Sequence, residues 1–343
     1  MTAKMVTKLL CGVAAAAFCL SGLALGQSKV MEVKRIQLDG LPANLWKRIE
    51  EHNKNLASLD DSDAAKGVYS TIWLWPPTYP VLRVCFFGGP QLARQLIAQA
   101  AKDWESSDMA IKLDFGDMND PRLCGQGDRE NQIRISFDKP GYWSQLGQFS
   151  VVYVKQDEAS MNFEGFDKIE PGQTYNDYAF GTIRHEFGHA FGLYHEHQSP
   201  EAHCDQEFNW DYIYDYLKGP PNNWPKDQID FNLRPIDLNQ TQGVMMTEFD
   251  NTSVMLYQFP DKYYTKGITS RCYIPEPNNR ISRVDRAVAN YMYPSNPQSR
   301  MERFQKNKDA FAAIWNKATD EGKKGVMVDM MKAFFEPPGT ASQ

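Results

Sequence analysis

The run His185-Glu186-Phe187-Gly188-His189-Ala190-Phe191-Gly192-Leu193-Tyr194-His195-Glu196 constrains this chain more than any other stretch. Two histidines four positions apart share one face of a helix, a spacing at which both imidazoles reach a single Zn²⁺. Glu186, beside the first of them, has the place of a general base toward a water activated at that metal. Gly192 can adopt a left-handed backbone conformation, so the helix can end there and the chain turn back. The turn returns His195 as a third ligand. Three protein ligands leave one coordination position open, as a catalytic zinc requires and a structural zinc does not. The run therefore predicts one zinc per chain and a zinc hydrolase, with peptide bonds as the first substrate class.

The surrounding pattern agrees. Of the six histidines, five (His185, His189, His195, His197 and His203) fall between 185 and 203. At about 100° per residue, Ile183, Phe187, Ala190 and Phe191 form an apolar stripe, with His185 and His189 on the opposite side. Downstream lies Ser253-Val254-Met255-Leu256-Tyr257.

Together these residues make the chain resemble the metzincins, metallopeptidases that join H-E-x-x-H-x-x-G-x-x-H to a methionine turn. Within them it is most similar to the astacin family, through Glu196 directly after the third histidine and through S-x-M-x-Y at the turn. The likeness spans roughly residues 72–294 and is sharp at 183–200 and 253–257. It implies His185, His189, His195 and Tyr257 as metal ligands, with Met255 as the apolar base beneath them. Tyr257 would swing away to hydrogen-bond the tetrahedral intermediate, so it counts with Glu186 as catalytic. Glu196 would be structural, holding a processed N-terminus. After Glu196, however, the chain reads His197-Gln198-Ser199-Pro200, where animal astacins are rich in arginine and aspartate.

The implied fold is mixed α+β (α/β) and metzincin-like. It has a twisted, mostly parallel sheet with an antiparallel edge strand, an active-site helix, an irregular C-terminal subdomain and a C-terminal helical extension. Strands are expected at Val81–Phe87, Ile111–Phe115, Ile133–Phe137 and Phe149–Val154. The alternation at Ile111–Phe115 and Ile133–Phe137 reads as half-buried. Ala159–Phe163 is expected to be the edge strand, which would bind peptide main chain to main chain. Helical periodicity covers Gln91–Trp104 and Trp210–Leu217. Ser282 and Asp285 read as a capping box opening a helix to about Tyr291.

Residues 1–26 have the form of a secretory signal peptide: Lys4 and Lys8, then an apolar stretch, then Ala24-Leu25-Gly26 before Gln27. The mature chain is thus expected to be secreted or periplasmic, with no membrane span. Residues 27–71 read as an N-terminal extension or pro-segment, 72–294 as the catalytic domain, and 295–343 as a helical extension. The F-x-G-D aspartate of astacin pro-segments is absent, and Asp39 is a candidate substitute. No cysteine lies between 20 and 84, so a cysteine switch is excluded.

Four cysteines outlast the signal: Cys85, Cys124, Cys204 and Cys272. In an exported chain they suggest two disulfides, with three possible pairings. Cys85–Cys124 and Cys204–Cys272 are the expected ones. A cysteine–zinc site is the other option, although no C-x-x-C occurs. A net charge of −6 offers no basic patch for nucleic acid. A protein or peptide substrate and a monomer are expected. Two other readings remain open: a zinc hydrolase of cell-wall peptide cross-links, and a catalytically silent zinc-binding module, against which the intact Glu186 speaks.

Overall fold

The computed structural model describes residues 29–35, 38, 40–48, 51, 74–125, 130–220, 222–236, 247–302, 304–305 and 309. The signal-like residues, Asp39 and nearly all of the expected C-terminal helical pair lie outside them. Among the described residues there are seven strands: β1 (Lys29–Met31), β2 (Val81–Phe86), β3 (Lys112–Asp114), β4 (Ile133–Ser136), β5 (Tyr142–Ser144), β6 (Met161–Phe163) and β7 (Gln173–Tyr175). Five of them form one sheet in the order β3-β2-β4-β6-β5, parallel throughout except for the antiparallel pair β5–β6. Parallel strands need covered faces, and β4 is buried along its whole length, Arg134 included. The half-buried expectation for Ile133–Phe137 is corrected accordingly.

The helices are α1 (Gln91–Ala101), α2 (Phe149–Val152), α3 (Asp177–Ala190), α4 (Trp210–Lys218), α5 (Lys226–Leu233) and α6 (Arg283–Met292). α1 and α3 pack on one another and on the sheet, where Leu82, Val84, Phe86, Ile97, Ile183 and Phe187 are completely buried. A second core lies C-terminal to the histidine run, built from Ile213, Leu217, Ile229, Leu233, Phe259 and Tyr263. Cys204–Cys272 lies within this second, lower core, and Cys85–Cys124 ties down β2 of the sheet beside the first, upper one, so the expected pairing is the one formed.

Two expectations fail for identifiable reasons. Phe149–Val154, rich in β-branched residues, forms the helical turn α2 instead of a strand. The Arg134 guanidinium is fully buried and must find acceptors. It takes the carbonyls of Asn131 at 2.7 Å, Glu158 at 2.9 Å, Val154 at 3.1 Å and Ser150. Strand pairing would have committed those carbonyls elsewhere, so the buried cation overrides local propensity. Ala159–Phe163 is also not the edge. Its strand β6 lies inside the sheet, and β5 is outermost. The Asn162 side chain accepts from Ser136 Oγ at 2.7 Å and donates to the Lys139 and Gly141 carbonyls at 2.8 and 2.6 Å. This folds residues 137–141 back, so that β5 returns antiparallel outside β6. Helix α5, after Pro225, was not read from the sequence at all.

Residues from the N-terminal stretch pack on later elements of the chain. β1 pairs in parallel with β7. Residues 43–48 are helical, with Leu45 packed on Trp143, Tyr153 and Val154 and with Arg48 forked onto Glu158 at 2.8 and 3.0 Å.

Candidate metal centre and active site

Helix α3 starts on an Asn176 cap, whose side chain accepts the Ala179 N–H at 2.8 Å. It ends as the motif requires. Gly192 has φ +96°, its N–H meets the His189 carbonyl at 2.7 Å, and Leu193 N–H meets the Gly188 carbonyl at 3.0 Å. These two bonds form a Schellman motif, and the left-handed residue reverses the chain. The late carbonyls of Ala190 and Phe191 are taken by Trp75 Nε1 at 2.8 Å and Tyr293 Oη at 2.6 Å. The chain then returns His195 to the same side as His185 and His189, and all three are buried.

Each imidazole Nδ1 has an oxygen beside it: the Val254 carbonyl at 2.8 Å for His185, the Leu193 carbonyl at 2.7 Å for His189, and Gln198 Oε1 at 3.1 Å for His195. Carbonyl oxygens only accept, so the proton of each neutral ring belongs on Nδ1. The Nε2 lone pairs then face one another, His189 Nε2 lying 3.2 Å from that of His185 and 3.0 Å from that of His195. Three lone pairs brought together repel unless a cation sits among them. A tetrahedral zinc with Zn–N near 2.0–2.1 Å would hold its nitrogens roughly 3.3 Å apart, close to these separations. The donor set therefore fits zinc. It is also the one group of His, Cys, Asp and Glu among the described residues able to hold a metal.

The turn Ser253–Tyr257 passes beneath this cluster and joins the two cores, with Met255 in the upper and Tyr257 in the lower. A side-chain carbon on Gly188 would come within 2.4 Å of Met255 Sδ, so the methionine packs directly under the helix. The Tyr257 ring lies 4.1 Å from that of His195 and 5.5 Å from that of His185, centroid to centroid. Asp285, a buried residue in the first turn of α6, fixes the turn. It accepts from Ser253 Oγ at 2.6 Å, Val254 N–H at 2.9 Å and Ser282 N–H at 2.9 Å. The capping box was legible as a helix start; its grip on the turn that orients His185 was not.

Glu186 is 1% exposed and lines a cavity of about 510 Å³ with His185, Tyr178, Thr182, Leu256 and Phe259. Glu196, directly after the third histidine, accepts the Asp250 N–H at 2.8 Å. Burial pushes its carboxyl up to about 7, the Asp250 N–H opposes this, and the charges of Asp285 and Asp250 add to it. Arg35 also lines the cavity, with its guanidinium 5.5 Å from the Tyr178 ring centroid and 3.1 Å from Glu276 Oε2. Tyr142 Oη on β5 donates to the Lys34 carbonyl at 2.7 Å.

No protein-family model matches the chain, and no curated protein does. Solved structures do. Myroilysin is 27% identical with a TM-score of 0.51, over 64% of this chain and 95% of its own. A hatching enzyme zinc-protease of the medaka fish Oryzias latipes is 21% identical with a TM-score of 0.38, over 65% of this chain and 96% of its own.

Proposed function

We propose that this chain is an astacin-like metzincin metallopeptidase, a secreted zinc endopeptidase with Glu186 as its general base; its motif, its fold and its histidine cluster support that reading. The observation that carries the reading is the tautomer argument: three Nδ1 groups face acceptors while three Nε2 atoms converge. Zinc, when bound, supplies Lewis acidity that brings the pKa of water down to about 7.

The remaining work falls to side chains. His185, His189 and His195 hold the metal. Glu186, one position past His185 and lining the same cavity, takes the proton of the attacking water and passes it to the leaving amine. Tyr257 turns its hydroxyl to the oxyanion that develops on the scissile carbonyl. β5, the outer strand, aligns the substrate backbone by adding it as a further strand. The two disulfides support export to an oxidising compartment. Residues 27–71 act as a pro-segment, supported by Arg35 at the cavity that Glu186 lines. Among the described residues no helix is long and apolar enough to cross a membrane.

Casein hydrolysis by the protein cut before Ile72, with and without o-phenanthroline, tests this beside Glu186→Ala. Chelation should abolish cleavage. Glu186→Ala should keep one zinc per chain and lose at least about 10²–10⁴-fold in rate. A variant cleaving at the wild-type rate would sink the assignment. Activity on cell-wall peptides alone would move the substrate class.

A further inference from the structure

Gln198 stands where the chain departs from its resemblance. It is 5% exposed, and its amide is held at both ends. Nε2 donates to the Phe231 carbonyl at 2.7 Å and to the Arg234 carbonyl at 3.2 Å, and Oε1 lies 3.1 Å from His195 Nδ1. Two carbonyls can only accept, so they fix which end of the amide is nitrogen. The oxygen is left for His195, and an acceptor there requires the proton on Nδ1. The Nε2 lone pair is thereby turned toward His189.

The other two imidazoles have main-chain carbonyls for this purpose, from Val254 and Leu193, which the turns around them hold in place. His195 relies on a side chain, and a side chain must itself be held. The holding groups are the carbonyls of Phe231 in the last turn of α5 and of Arg234 at its C-cap, where carbonyls have no helical N–H partner. A main-chain bond from Ile236 N–H to the Gln198 carbonyl at 2.9 Å adds to the connection.

We propose that Gln198 is a positioning residue. It sets the tautomer and orientation of the third metal ligand, and it makes the end of α5 part of the metal centre's support. The inference rests on the zinc reading above.

Zinc affinity by chelator competition on the full chain tests it, for wild type, Gln198→Met and Gln198→Glu, with thermal unfolding of each metal-free protein. Gln198→Met keeps the bulk and removes both polar ends, and should lose about 10–100-fold in affinity. Gln198→Glu keeps an acceptor opposite Nδ1 but cannot donate to Phe231 and Arg234. It should unfold at a lower temperature yet bind zinc far more tightly than Gln198→Met. Wild-type affinity in Gln198→Met would overturn the proposal. Equal losses in both variants would do so too, since the carbonyl bridge alone would then be at work. A wild-type chain without zinc affinity would instead defeat the zinc reading itself.

Discussion

At Tyr257 a ring packs against the histidine cluster, 4.1 Å from that of His195 centroid to centroid, and its hydroxyl is the group with chemistry to contribute. Tyr257→Phe keeps the ring packing and removes the hydroxyl that the proposed mechanism turns to the oxyanion. It should leave zinc content unchanged and lower kcat by about 10²-fold with little change in KM, read by steady-state peptide cleavage. A variant with unaltered kcat would reduce Tyr257 to a packing residue. The three converging histidines, the turn at Gly192 and the place of Met255 beneath the helix were legible in the sequence, because spacing and residue type carry them. Their supports were not. The acceptors for His185 and His189 are main-chain carbonyls, and every residue has one of those. Gln198 and Asp285 act through partners 33 and 32 positions away in the chain, a pairing that only the fold creates.

Among the elements, α3 is the one whose packing decides the site. Gly188 was an unassigned position of the motif, yet it is where the helix meets the methionine turn. Ala there would bring Cβ within 2.4 Å of Met255 Sδ and 3.1 Å of Trp104 Cζ2. The better helix propensity of Ala is worth up to about 1 kcal/mol, against about 1–3 kcal/mol for overpacking. Gly188→Ala should therefore unfold at a lower temperature than wild type, and a rise in Tm would mean that the contact relaxes freely. Helix α3, the capping box and strands β2, β3 and β4 follow patterns that periodicity reveals. The failures at 149–154 and 159–163 share one origin. Arg134 and Asn162 are polar groups that the fold buries, and their need for partners reshapes neighbouring chain in a way no local window records.

Taken whole, the described residues form two large apolar cores with the histidine cluster at their seam, a smaller apolar cluster around Trp143, and an N-terminal stretch lying across them. Leu38 packs in the lower core, while Leu45 packs on Trp143, beside the sheet's outer edge. Arg48 holds that stretch through Glu158, whose hydrogen bond from the guanidinium brings its carboxyl down to about 2. A depressed folded pKa means the ion pair stabilises fully above the ordinary value of 4.5 and fades as pH falls from there toward about 2. Hydrogen exchange of residues 43–48 should thus lose protection between pH 5 and pH 2.5, and Arg48→Met should show that loss already at pH 6. Equal protection in wild type and variant at pH 6 would mean that the apolar contacts of Leu45 suffice. The disulfides carry a consequence of another kind. Cys204–Cys272 spans 68 positions, and Met255 and Tyr257 lie inside that loop while the three histidines precede it. A peptidase meets its own backbone before any other. One self-inflicted nick between Cys204 and Ser253 leaves both fragments tethered, histidines on one and methionine turn on the other, as a single band without reductant and two with it.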